Sequence, residues 1–259
     1  MNAITGEKAV FALLMSVPLL AIGALGLVGG TSQTELADAA LKAKRTVTLG
    51  ETKNTPDPAC PKDCQVVAAV TGFQSEDPKR QVPFKVPFDG RITGWKIFLG
   101  KPSNRDRRLL NDRWGSPPQA AIAVLQKRRA NGRVEYELKR RSPTVSLGGR
   151  RLGKAPFFKL KKPLRAVKGD QIALAVPTWA PAFAGNLNPR RNAWRAGKNP
   201  KRCNATSQRS TAQMKVGSTR PYGCRYVGGR LLYRVRLQAK SPCNENGPVS
   251  TGPFSPFSD

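Results

Sequence analysis

No histidine occurs in the 259 residues, and that absence removes more chemistry than any motif supplies. Without imidazole there is no Ser-His-Asp or Cys-His nucleophile, no histidine general base and no histidine metal ligand. Most hydrolase templates are thereby excluded. Acidic residues are scarce as well, 16 against 45 lysines and arginines, for a formal net charge of +29. Paired-carboxylate chemistry has few members to draw on. Glu135 and Glu137 come nearest, because two residues along a strand separate side chains by roughly 7 Å and glycoside cleavage needs roughly 5 to 9.5 Å. Their neighbours Arg133, Lys139 and Arg140 point to the plainer job of offsetting charge on a solvated face. Asp89 and Asp170 stand in Asp-Gly and Gly-Asp pairs, where carboxylates bond local backbone amides and build turns.

Charge is also absent from residues 9–30, and here the missing charge has a positive meaning. Roughly 20 apolar residues cross a hydrocarbon core, and a secretory signal has a shorter apolar stretch. Pro18, Gly23, Gly26, Gly29 and Gly30 weaken a spanning helix, and Ala37-Asp38-Ala39 supplies a small-x-small cleavage pattern. The expectation is export, with residues 1–39 a signal peptide or, if uncleaved, a membrane anchor. Five cysteines agree with an oxidising destination. The expected pairs are Cys60 with Cys64 and Cys203 with Cys224, which leaves one cysteine over; connectivity is not fixed by spacing. A four-cysteine zinc site is the alternative, with an unusual C-x3-C spacing and no histidine to complete it.

A short linker, 40–44, leads to a domain over 45–240 and then to a Pro-, Ser-, Gly- and Asn-bearing tail, 241–259, expected to be disordered. Long runs with the i, i+3, i+4, i+7 spacing of a helix are missing throughout the domain, and the dominant period is two. In 230–238, Leu231, Tyr233, Val235 and Leu237 share one face, and Arg230, Arg234, Arg236 and Gln238 make most of the other. In 133–139, Val134, Tyr136 and Leu138 alternate with charged residues, and this strand is expected to pair with 120–127 through Asn131-Gly132, a strong hairpin signal. Further strands are expected at 46–50, 65–73, 91–99, 157–160 and 171–177, and one short helix within 103–115. The fold class is all-β, a single antiparallel sandwich with Pro and Gly in nearly every gap.

Phe88-Asp89-Gly90-Arg91-Ile92-Thr93-Gly94-Trp95 and Pro163-Leu164-Arg165-Ala166-Val167-Lys168-Gly169-Asp170-Gln171-Ile172 look like turn-strand signatures of secreted jelly-roll β-sandwiches. With Thr178-Trp179-Ala180-Pro181 and Asn192-Ala193-Trp194-Arg195, residues 46–238 resemble an uncharacterised family of bacterial secreted proteins with no assigned activity. The resemblance implies fold and location, a jelly-roll outside the cell, and no chemistry. An acidic calcium site of the kind some jelly-roll glycan binders use is not evident.

Two sets of candidate binding residues remain. Trp179, Phe183 and Trp194, set among Pro, Ala, Asn and Arg, offer flat faces for sugar rings, with Arg195 beside them as a donor; the competing role is to plug the ends of the core. For polyanions the candidates are Arg105, Arg107, Arg108 and Arg113 around Leu109, Leu110 and Trp114, then Lys159 and Lys161 with Lys162, Arg165 and Lys168, then Arg230, Arg234 and Arg236. An excess of this size attracts polyanions at low salt whatever the local detail. Nucleic acid would follow by counterion release, without a recognition helix or RNP-like strand to make it specific. Gly148-Gly149-Arg150-Arg151-Leu152-Gly153-Lys154 fills the first seven places of a phosphate-binding loop, but Ala155 stands where a hydroxyl is needed and Pro156 where a helix should begin; it reads as a basic loop.

The expectation is therefore a non-catalytic binding or structural module, secreted or tethered at the cell envelope, with no cofactor and no metal. Its expected partner is an anionic envelope polymer or glycan, with a membrane surface as the second candidate and no specific nucleic acid. The rivals are a secreted carbohydrate-active enzyme using paired carboxylates and a membrane-active defensive basic protein.

Overall fold

The computed structural model describes residues 45–79, 83–130, 132–203 and 210–240. The expected signal or anchor, the linker and the tail lie outside these residues. Among the described residues fourteen strands carry the fold, β1 (Thr46–Leu49), β2 (Val67–Glu76), β3 (Gly90–Ile97), β4 (Gln119–Ala130), β5 (Arg133–Arg141), β6 (Val145–Ser146), β7 (Phe157–Ala166), β8 (Gln171–Ala180), β9 (Phe183–Ala184), β10 (Ala193–Ala196), β11 (Thr219–Pro221), β12 (Cys224–Val227), β13 (Arg230–Leu231) and β14 (Tyr233–Ala239). Among the described residues one α-helix, α1 (Asn104–Trp114), interrupts them.

The strands form antiparallel sheets. The smaller has four strands in the order β1-β14-β3-β7; the larger runs β11-β5-β4-β8-β2-β10-β12, with β6 attached to β4; β9 and β13 make a separate pair. Sheet on sheet, they bury Leu49, Val70, Phe84, Ile92, Trp95, Ile97, Ile122, Val124, Ile172, Leu174, Val176, Tyr233, Val235 and Leu237 in one core. This is the all-β sandwich expected from the period of two.

Local chemistry explains several elements. Ser103 caps α1: its hydroxyl accepts from the Asp106 amide at 3.1 Å and the Asp106 carboxylate accepts from the Ser103 amide at 3.3 Å, a reciprocal arrangement that satisfies two orphan donors. The β4–β5 hairpin pairs Ala130 with Arg133, the tight connection expected there, with Gly132 at φ +71°. Asp89 Oδ1 accepts from the Lys168 amide at 2.7 Å and Asp170 Oδ2 from the Val167 amide at 2.9 Å; both carboxylates build turns. Cys60 is bonded to Cys64 and Cys203 to Cys224, which removes these four from any zinc site. Gly149–Arg151 forms one short 3-10 turn in the loop before β7, with no helix of the kind a phosphate-binding loop leads into.

The larger sheet is covered on its outer side too, which the strand pattern does not reveal. Phe73, Ala121, Ala123, Leu125, Leu138, Ala173, Ala175 and Tyr222 form a second core there. The stretch containing Gln213 pins it: the Gln213 amide donates to Thr71 Oγ1 at 2.8 Å, its side chain donates to the Ser218 carbonyl at 2.7 Å and to the Tyr136 carbonyl at 3.2 Å, and it accepts from the Tyr222 hydroxyl at 2.8 Å. Covering this face leaves the outer face of the four-stranded sheet as the broad sheet surface open to solvent.

Candidate functional site: a basic sheet face

The register of the four-stranded sheet decides which cations share a surface, since residues directly opposite across a ladder lie on the same face. Gln238 faces Arg91 and Arg91 faces Arg165; Arg236 faces Gly94 and Gly94 faces Lys159; Arg234 faces Lys96 and Lys96 faces Phe157. Three rows therefore place Arg91, Lys96, Lys159, Arg165, Arg234 and Arg236 on one face, in strands roughly 4.8 Å apart. Ile92, Trp95, Ile97, Val235 and Leu237, between them in the chain, are buried. In β3 this alternation survives only through a bulge between Ile92 and Gly94, where Thr93 takes an extra place and returns Lys96 to the outer side.

Aromatic rings lie among these cations. Phe157 is half exposed, at 50%, and its ring covers Gly94, where a Cβ would come within 2.4 Å of it; no larger residue fits. Lys96 Nζ and Arg234 Cζ stand 5.3 and 5.1 Å from the centre of the Phe98 ring, within cation–π range. Among the described residues the one ion pair that these six cations make is Arg234 Nη1 to Glu51 Oε1 at 3.3 Å. Arg234 Nη2 also donates to Thr55 Oγ1 at 2.6 Å, so it is held at one corner of the face, beside a hollow of about 850 Å³ to which Lys53 and Lys79 contribute.

Of the residues expected from the sequence to meet a polyanion, the fold brings Lys159, Arg165, Arg234 and Arg236 together on this face. Lys161 is exposed in an irregular part of β7 next to this face. Arg230 requires correction. It is 6% exposed, 3.7 Å from Asp77 Oδ2 and donates to Thr52 Oγ1 at 3.0 Å, and burial pushes its guanidinium below the usual arginine range. Leu231 and Leu232 are both buried, so the alternation starts afresh at Tyr233 and Arg230 falls on the inside. Arg105, Arg107, Arg108 and Arg113 sit on α1, which packs against β8 of the larger sheet, around Leu109 at 59% exposure; they form a separate patch.

The expected stacking residues do not form one site. Trp179 is 1% exposed and its Nε1 donates to Asn111 Oδ1 at 3.0 Å; it anchors α1 and offers no face to a sugar. Trp194 stacks on Tyr226 with ring centres 4.8 Å apart and meets Phe183 edge-on at 6.3 Å, both against the main core. Arg195, next in the strand, points to the opposite side, as β geometry demands, and donates to the Tyr222 carbonyl at 3.2 Å.

Glu137 is bonded by Lys139 at 2.9 Å and by Arg128, and the Lys139 hydrogen bond, ahead of the nearby charges, holds its carboxyl below the ordinary range. A general acid needs the reverse shift. Arg91 and Lys96 are the members of the basic face that sequence reasoning missed, because the bulge at Thr93 breaks the period of two on which such a reading depends. Compared with protein-family models, curated proteins and solved structures, the chain matches none.

Proposed function

We propose that this protein is an exported, non-catalytic module of the cell envelope that holds an anionic polymer or glycan against the outer face of its four-stranded sheet. The observation that carries this reading is the direct opposition of like charges: Arg91 against Arg165 and Arg234 against Lys96. Such pairs destabilise a sheet. Six cations collected in register at a cost to folding are best accounted for by a bound polyanion that removes the repulsion. The two disulfides fit an oxidising, extracellular setting, and no helix among the described residues is long and apolar enough to cross a membrane.

The jelly-roll assignment and kinship with secreted sandwiches of that kind belong to the same proposal. They are supported by the first strand pairing with the last, β1 on β14, and by connections such as β2 to β3 and β7 to β8 that pass between sheets. The test is retention on immobilised heparin across a salt gradient. Replacing Arg91, Lys159 and Arg236 by Gln must advance elution well beyond what replacing Arg105, Arg108 and Arg113 does. Equal advances would mean that net charge alone, rather than this face, binds the polymer.

A further inference from the structure

Beside the basic face the sandwich is open at its edge. Strand β7 follows β3 as far as Lys159 opposite Gly94 and resumes at Leu164 opposite Ile92, so residues 160–163 bow outward against Thr93 alone. Behind that bow lies a cleft of about 550 Å³ between β7 and the 143–145 stretch, lined by Trp95, Pro143, Val145, Phe157, Phe158 and Leu160. That volume falls in the range of roughly 300–1,000 Å³ typical of small-molecule sites. Its walls are apolar, and Lys159, Lys161 and Lys162 line it as well, with Arg151 over Phe158 at 5.8 Å. Trp95, at the back of the cleft, is fully buried.

Phe157 and Lys159 belong both to this cleft and to the basic face. We propose that the cleft takes a single acyl chain whose anionic headgroup lies on the adjoining cations, so that the protein's ligand is a lipid-borne phosphate. This rests on the basic-face reading and adds the hydrocarbon part. Apolar walls supply affinity in proportion to the chain buried, and the lysines select a negative head.

A matched series separates the contributions: lauroyl glycerol phosphate, glycerol phosphate and lauroyl glycerol, each titrated calorimetrically below its micelle concentration. The acyl phosphate is expected to bind at least about tenfold more tightly than either truncated probe, since burying even part of a chain gains about 0.8 kcal/mol per methylene. Val145→Phe, which fills the slot, and Phe157→Ser, which removes a half-exposed wall and leaves the core intact, should each erase the gain from the tail while heparin retention of Val145→Phe stays unchanged. No gain from the tail in the native protein, or a gain that survives both substitutions, overturns the proposal. If heparin retention proves insensitive to the basic-face variant while the tail gain persists, the polyanion reading fails and the cleft stands.

Discussion

Salt dependence measures how many cations the sheet face contributes. Five of its six, Arg91, Lys96, Lys159, Arg165 and Arg236, have no carboxylate partner among the described residues, and Arg234 is already paired with Glu51. A single-stranded oligonucleotide serves as a test polyanion of known charge spacing. Each phosphate neutralised contributes about 0.7 to the fall of log K with log salt, so five contacts give a slope of roughly −3.5. Between 50 and 200 mM salt, affinity then drops by roughly a hundredfold. The triple variant Arg91→Gln, Lys159→Gln, Arg236→Gln keeps two of the five, and its slope should shrink to roughly −1.4, a drop of under about tenfold over the same range. Arg105→Gln, Arg108→Gln, Arg113→Gln removes the same formal charge from α1 and should leave the slope within about 0.5 of the native value. Fluorescence anisotropy at several salt concentrations reads both. Equal slopes for the two triple variants would refute the reasoning, because the attraction would then belong to the whole molecule.

Arg165→Glu sets a carboxylate opposite Arg91 and should raise stability by about 0.2–1 kcal/mol while weakening heparin retention; a fall in Tm together with unchanged retention would contradict the cost assigned to the face. Replacing Cys203 and Cys224 together by Ser opens a link spanning 21 residues and should lower unfolding stability by about 3 kcal/mol in urea titration. Burial pushes the hydroxyls of Tyr222 and Tyr233 up, and they donate to Gln213 and to the Ile172 carbonyl. In the unfolded chain they ionise near 10. Their contribution is therefore complete below pH 10 and is lost as pH rises above it, each by up to about 1.4 kcal/mol per pH unit. Tyrosinate absorbance should accordingly show a step that coincides with the loss of circular dichroism, and ionisation of all four tyrosines without unfolding would count against their burial.

Much of the scaffold was legible in the chain because its determinants are local. Ser103 and Asp106 announce the start of α1 three residues apart, Asn131-Gly132 announces a hairpin, the turn aspartates stand beside glycine, and alternation marks the long strands. Both disulfides join the expected cysteines. The short strands β6, β9, β10, β11, β12 and β13, of two to four residues each, carry too few alternations to declare themselves; they form because longer partners hold them.

Periodicity, the charge excess and the absence of imidazole chemistry follow from composition and residue order alone. The assignment of faces follows only from the folded chain. A period of two says that neighbours point apart, but a bulge at Thr93 or a break at Leu232 resets which side is inward, so Arg230 is buried beside Asp77 while Lys96 and Arg236 come out on one surface. Whether an apolar face is capped is equally nonlocal: Trp179 is hidden because α1 reaches it, and the far side of the larger sheet is dry because Gln213 and its neighbours close over it. These outcomes depend on contacts between residues far apart in the chain, and no short-range pattern encodes them.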